Sequence, residues 1–369
     1  EGWIRAEPGL VKDALNAAIR AQGLFFAPEC STSNRATLAG MVSTDACGQG
    51  SCLYGKTRDH VLALDVVLQD GTLWHSTKLD EAGLAAAARR QDMVGAVHRV
   101  VDGIFRERQA LIAERFPPLN RCLTGYDLAH IRDENGLFDL NSVLCGSEGT
   151  LAMIAEVKLR VLPIPKHAAL INLRYDSFDA ALRDAQRIMV LGAASVETVD
   201  SKVLGLARGD IAWEGIRAYF PDDAEGLAAG INLIEFVGDS EDAVRAKLAV
   251  VEDRLAAEGR SMGRRGHTVA WDSAGERIQA MRKKAVGLLG NMAGDARPIP
   301  FVEDTAVPPE NLADYIAEFR AALDRRGLAY GMFGHVDAGV LHVRPAIDMK
   351  APGAEALIRE VTDEVFALT

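Results

Sequence analysis

The stretch PECSTSNRATLAGMVSTDACGQGS, residues 28–51, sets Gly40, Gly48 and Gly50 among Ser31, Thr32, Ser33, Thr37, Ser43 and Thr44. Glycine lets backbone approach a ligand closely, and serine and threonine add hydroxyl donors beside exposed N–H groups. On the residues alone two readings stay open: a plain connection, or a surface for a phosphorylated or planar ligand. A dinucleotide-binding Rossmann domain is not indicated, because no glycine-rich turn links a strand to a helix in that pattern.

Working outward, Trp3 and Ile4 in EGWIRAEPGL are strand-like, and residues 9–22 read as an amphipathic helix with Leu10, Leu15 and Ile19 near one face and Gly23 as its stop. Downstream, VLALDVVLQDGTLW carries an Asp70-Gly71 hairpin signal, and a helical region of roughly 80–115 ends at Pro117-Pro118. The segment SVLCGSEGTLAMIAEVKLRVLPIP, from residue 142, reads as a turn and a strand closed by Pro163 and Pro165. A domain boundary is expected there, giving residues 1–162 and 163–369. Beyond it come a strand AALINLRY, a helix 176–191, a strand INLIEFVG, helices 240–258, 273–289 and 309–326, the segment LAYGMFGHVDAGVLHVRPAI, and a last helix from 353. The expectation is an α+β second domain with a mainly antiparallel sheet flanked by helices.

The bulk numbers exclude several classes. With 49% apolar and 25% charged residues in 369, the chain is globular and long enough for two cores. A net charge of −11 argues against a nucleic-acid partner, which requires clustered lysine and arginine. No apolar run approaches the ~20 residues of a membrane span, and no signal peptide opens the chain, so a cytoplasmic location is expected. The cysteines, Cys30, Cys47, Cys52, Cys122 and Cys145, are odd in number and lack a Cys-x-x-Cys pair. They read as reduced thiols rather than as an iron–sulfur or zinc site within this chain.

FGHVDAGVLHVRP, residues 333–345, holds two histidines seven positions apart. One continuous strand would point them to opposite faces. A hairpin with Ala338-Gly339 as its loop would instead set Asp337 against Val340, Val336 against Leu341 and His335 against His342, with β-carbons about 5 Å apart. Both imidazoles would then reach one divalent ion at about 2.1 Å. A stacked or hydrogen-bonded pair in the core is the other reading.

Pro28, Ser31, Ser33, TLAGM at 37–41, TDACGQGS at 44–51, YGKTRDHV at 54–61 and GSEGTLA at 146–152 resemble the FAD-binding core of the vanillyl-alcohol-oxidase-type flavoproteins. The branch that the chain resembles is that of the FAD-linked D-lactate and D-2-hydroxyglutarate dehydrogenases, in the long form with a C-terminal iron–sulfur domain. The resemblance implies a partial FAD-binding domain over 1–162 and a substrate or cap domain over 163–369. It implies that Pro28, Ser31, Thr32, Ser33, Gly40, Met41, Thr44, Asp45, Ala46, Gly48, Tyr54, Glu148, Gly149, Thr150 and Ile154 line FAD. It also implies that His335 and His342 bind a zinc-like divalent metal, Arg282 binds the substrate carboxylate, and Glu303, Arg121 and Tyr126 lie near substrate or flavin. Asp304 is expected to fix local structure, and Lys283 and Lys284 to be solvated. Val340 stands where the family has an asparagine and offers no side-chain hydrogen bond.

The implied reaction oxidises a D-2-hydroxy acid to the 2-oxo acid, with hydride passing to flavin N5. The electron acceptor is not identified, and a membrane-peripheral partner and a homo-oligomer both stay open. The family's pyrophosphate loop, its third metal ligand and its iron–sulfur cluster belong to segments upstream of residue 1 or beyond Thr369. The chain is therefore expected to be an internal fragment, inactive alone and a poor binder of FAD. The competing readings are a non-catalytic flavoprotein-like module that binds a metabolite or partner, and an oxygen-using flavin oxidase.

Overall fold

The structure, a computed structural model, describes residues 2–122, 125–221, 226–288 and 295–369. Leu123 and Thr124 of the segment LNRCLTGYDL, and residue 289 at the expected end of the helix 273–289, lie outside the described residues. The chain divides into two compact units, residues 1–164 and 165–369.

The strands in chain order are β1 (Trp3–Ala6), β2 (Leu24–Phe25), β3 (Val61–Leu68), β4 (Leu73–Thr77), β5 (Ala152–Arg160), β6 (Leu162–Pro163), β7 (His167–Tyr175), β8 (Ser195–Asp200), β9 (Gly230–Gly238), β10 (Arg264–Trp271), β11 (Arg297–Pro298), β12 (Tyr330–His335) and β13 (Val340–Ile347). In the first unit an antiparallel sheet runs β1-β5-β3-β4, and β2 pairs with β6. The β3–β4 hairpin turns where Asp70-Gly71 predicts it, with Val67 opposite Leu73. The opening helix is an α-helix Lys12–Ile19 continued by a 3-10 turn Arg20–Gln22, and Gly23 stops it at φ +70°. The helical region 80–115 is two helices, Glu81–Ala88 and Met93–Arg115, each started by an aspartate (Asp80, Asp92) whose side chain accepts from a backbone N–H of the first turn. That second cap is why the region breaks near residue 90.

The second unit is built on a seven-stranded sheet, β10-β7-β9-β8-β12-β13-β11, with every pairing antiparallel. Helices Phe178–Met189, Glu241–Glu258, Leu312–Asp324 and Ala354–Leu368 bury Phe178, Leu182, Val244, Phe319 and Val361 on one face, against Ile171, Val196, Phe236 and Met332. Helices Ser201–Arg208 and Ser273–Leu288 cover the other face through Val203, Ile278 and Met281, against Leu170, Val199, Leu233 and Phe333. Burying each such large apolar side chain contributes about 1.5–3 kcal/mol.

Directly opposed residues in antiparallel strands share a face. The register therefore aligns Leu233, Glu197, His335 and Val340 in one row across β9, β8, β12 and β13, and Ile231, Val199, Phe333 and His342 in the next. Charged side chains thus enter a face that is otherwise apolar.

The β12–β13 hairpin forms, but its register corrects the expectation. His335 faces Val340, and His342 faces Phe333, so the histidines are diagonal neighbours. The loop has four residues, a 3-10 turn Val336–Ala338 followed by Gly339 at φ +71°. A two-residue loop would force Ala338 to positive φ, which an L-residue resists, whereas the longer loop puts only glycine there. A β-carbon on Gly339 would also lie 1.9 Å from the Val307 carbonyl oxygen, so this position excludes any other residue. Asp337 secures the loop: its Oδ2 accepts from the Val196 N–H at 3.1 Å.

Candidate functional site

In the first unit the two flavin-expected segments are tied by main chain. Gly146 N donates to Val42 O and Glu148 N to Ser43 O, both at 2.9 Å, so the GSEGT turn packs on the end of the helix Leu38–Ser43. Thr37 caps that helix, its hydroxyl accepting from Gly40 N at 3.2 Å. Asp45 at φ +46° and Glu148 at φ +52° hold the two turns in left-handed backbone. Ser31, Gly40, Thr44, Glu148, Gly149 and Thr150 are exposed; Thr32, Ser33, Ala46, Tyr54 and Ile154 are half-buried; Pro28, Met41, Asp45 and Gly48 are buried.

The buried members support the surface from beneath. The Asp45 carboxylate accepts from Arg58 N at 2.9 Å, and burial pushes its pKa up despite Arg58 beside it. At Gly48 an added β-carbon would sit 2.6 Å from the Glu29 carbonyl oxygen, so close backbone packing by itself requires glycine there. Arg121 is buried, donating to Gly48 O at 2.5 Å and Ser51 Oγ at 3.3 Å, and so braces the loop from inside. Tyr126, at φ +45°, is exposed, with its hydroxyl 2.5 Å from Thr150 Oγ1. Tyr126 and Thr150 stand at the rim of an apolar groove of about 570 Å³ lined by Trp74, Met93, Val97, Val101 and Leu144.

In the second unit, His335 Nδ1 lies 2.6 Å from Glu197 Oε1, and Arg282 on the helix Ser273–Leu288 pairs with Glu197 Oε2. Glu197 is fully buried, His335 is 4% exposed and Arg282 5% exposed, so the three form a dry chain of charge-assisted bonds. The Arg282 guanidinium also rests over the Phe333 ring at 5.5 Å, and its Nε has no hydrogen-bond partner among the described residues. The His335 and His342 rings meet edge to face, with centroids 5.2 Å apart. The diagonal register thus still joins them.

On the other side of His342 runs the segment FVEDTAVPP, bridged to β13 through Ala306 and Val340. His342 Nδ1 is 3.0 Å from Glu303 Oε1 and 2.5 Å from Asp304 Oδ1, yet in line for a hydrogen bond with neither. Burial disfavours the charged ring, but Asp304 and Glu303 outweigh it and hold the His342 pKa above its ordinary value. Arg344 grips Glu303 with Nε and a terminal nitrogen, each at 3.0 Å, and neutralises it. Asp304 is exposed, at φ +64°.

Glu303, Asp304 and His342 offer ligand atoms within 4.8 Å of one another. A misaligned nitrogen facing two carboxylates suits a divalent cation, for which nitrogen and oxygen donors at about 2.0–2.2 Å are the norm. Glu303, Asp304 and His342 therefore fit such an ion, and the His335 ring stands beside them against that of His342. Lys284 is exposed and paired with Asp210 at 2.7 Å, as expected of a solvated helix charge.

Sequence reasoning missed Glu197 and Arg344. For Arg344 a signal existed, since it lies two residues from His342 on the same strand face. For Glu197 none did: SVETVD is too polar to read as a buried strand.

Among known families, the one described as FAD linked oxidases, C-terminal domain matches residues 164–369, and the FAD binding domain matches residues 1–77. The chain is 58% identical to a D-2-hydroxyglutarate dehydrogenase of Pseudomonas putida and 52% identical to one of Escherichia coli, in each case over 100% of this chain and 37% of the relative. It thus spans little more than a third of the length of these curated relatives. Among solved structures, p-cresol methylhydroxylase with bound substrate matches 99% of this chain and 66% of its own, with a TM-score of 0.61 at 12% identity, which speaks for the fold alone.

Proposed function

The chain belongs to the FAD-linked oxidases, and from that premise we propose that it forms the flavin- and substrate-handling part of an enzyme oxidising a D-2-hydroxy acid, of the 2-hydroxyglutarate or lactate class, to its 2-oxo acid. The observation that carries this reading is the buried run Arg282–Glu197–His335 beside His342, a carboxylate-binding cation held next to two imidazoles. Fold likeness alone would not carry it, because one fold hosts many reactions.

When bound, FAD would accept the hydride, and a divalent cation held by His335 and His342 with Asp304 alongside would polarise the α-hydroxyl. The chain's residues do the positioning. Arg282 keeps N–H groups beyond those given to Glu197 and offers them to the substrate carboxylate. Phe333, under the guanidinium, fixes its plane and excludes water from one side. Glu303, neutralised by Arg344, presents an acceptor beside His342.

For FAD, Ser31, Thr32, Ser33, Gly40, Thr44 and the turn 148–150 would supply donors. Pro28, Met41, Asp45, Ala46, Gly48, Tyr54 and Ile154 would shape that surface, with Arg121 as its brace. A cytoplasmic location and an iron–sulfur acceptor carried outside this chain belong to the same proposal. Among the described residues no helix is long and apolar enough to cross a membrane.

The test is anaerobic mixing of the full-length protein containing this chain with a panel of D- and L-2-hydroxy acids. Flavin bleaching by a D-acid and not by its enantiomer is expected. No bleaching with any acid would return the chain to a non-catalytic module, and fast reoxidation by air would make it an oxidase.

A further inference from the structure

We propose that Glu197 is the positioning residue of the second unit's site, setting the ring orientation and tautomer of His335 and the placement of Arg282 with one carboxylate. The inference rests on the reading of the site given under Proposed function and deepens it by giving Glu197 a role of its own.

Glu197 on β8 is directly opposite His335 on β12, so their side chains leave the sheet on the same face with β-carbons about 5 Å apart. One carboxylate oxygen accepts a hydrogen bond from His335 Nδ1 at 2.6 Å. The other takes an N–H of Arg282, which reaches down from the covering helix. Glu197 therefore ties strand, neighbouring strand and helix at one point, and both its oxygens are used.

That arrangement has a chemical consequence. A histidine that donates from Nδ1 must present Nε2 as its lone pair, so Glu197 determines which nitrogen His335 offers. A carboxylate behind the ring also raises its basicity and so its strength as a ligand. For Arg282 the same carboxylate anchors one terminal nitrogen of the guanidinium, while the Phe333 ring lies beneath it. Leu233 and Val199, the apolar neighbours of Glu197 on this face, provide no alternative acceptor. Ordinary strand packing would place an apolar residue at 197. A fully buried carboxylate is costly unless both of its partners are present.

The experiment uses the full-length protein, metal-stripped, titrated calorimetrically with Zn²⁺, and assayed separately for its kinetic constants per bound flavin. For Glu197→Gln, Zn²⁺ affinity is expected to fall by about 10–100-fold, with KM for the acid raised and kcat lowered. A purely structural role would lower the yield of folded, flavin-bearing protein and leave both constants per flavin unchanged, which would overturn the inference. Should Glu197→Gln not fold, Glu197→Asp retains the charge but shortens the reach by one methylene. It is expected to weaken Zn²⁺ in the same direction, and an unchanged affinity would overturn the inference. If the wild-type protein itself binds no Zn²⁺ and no acid bleaches its flavin, the reading of the site fails and takes this inference with it. If wild type does both and the variants match it, the inference alone fails.

Discussion

Arg282 and Glu197 each make the other's burial tolerable. Removing one charge of such a pair leaves the other in a dry interior, at a cost of about 3–5 kcal/mol. Arg282→Met is therefore expected to lower the stability of the second unit by roughly that amount, read from its denaturant midpoint, and an unshifted midpoint would mean that Glu197 is not held as described. Lost activity in an Arg282 variant thus argues for carboxylate binding only when stability is measured beside it. A second residue-scale effect is backbone strain. Among the described residues six non-glycine positions hold positive φ; Asp45, Tyr126, Glu148 and Asp304 lie at the two candidate surfaces, and Met262 and Asp272 do not. Strain of this kind persists where the surroundings over-determine it, often at functional positions. Glu148→Gly relieves it, so we expect stability unchanged or raised by up to about 1 kcal/mol, with weaker retention of flavin through gel filtration. Unchanged flavin retention would remove Glu148 from the flavin surface.

At the scale of elements, the β12–β13 hairpin is the part on which the site depends. Gly339→Ala adds a clash with Val307 to a left-handed backbone, and a loss of about 2–4 kcal/mol is expected from strain and overpacking together. Asp337→Ala orphans the Val196 N–H, with an expected loss of about 1–3 kcal/mol. Chemical denaturation measures both, and near-neutral values would contradict the loop geometry. The hairpin itself was legible because His335, Gly339 and His342 make no sense on one straight strand. Its register was not, because loop length depends on which residues accept positive φ, and Ala338 refuses it. β8 shows the opposite limit. Its six residues are all buried, yet Glu197, Thr198 and Asp200 obscure any apolar pattern because each is satisfied within the fold: Glu197 by His335 and Arg282, Thr198 by the Ile231 carbonyl, and Asp200 by the Met332 N–H and, as a local helix cap, the Val203 N–H. Glu197 was thus hidden with its strand, whereas Arg282, Glu303 and the histidines stood in segments with recognisable neighbours.

For the whole molecule, a charged knot stabilises the second unit far from the site. Glu258, at the end of the helix Glu241–Glu258, meets Arg187 and Arg264 at 2.7 Å and also pairs with Arg254. Burial opposes its charge, but the three arginines prevail and hold its pKa down at about 2. Because the folded value lies below the unfolded one of about 4.3, its contribution is present above that value and is lost as pH falls toward 2. Glu258→Gln should therefore melt below wild type at pH 7, with the two curves converging near pH 2–3; a constant gap would contradict the linkage. The polar rows on one face of the seven-stranded sheet are the proposed seat of the substrate. The decisive measurement is a crystal structure of the full-length protein with a bound, non-bleaching analogue of a D-2-hydroxy acid. The carboxylate is expected on Arg282 and the oxygen at C2 between His335 and His342; an acid bound away from that sheet face would overturn the proposal.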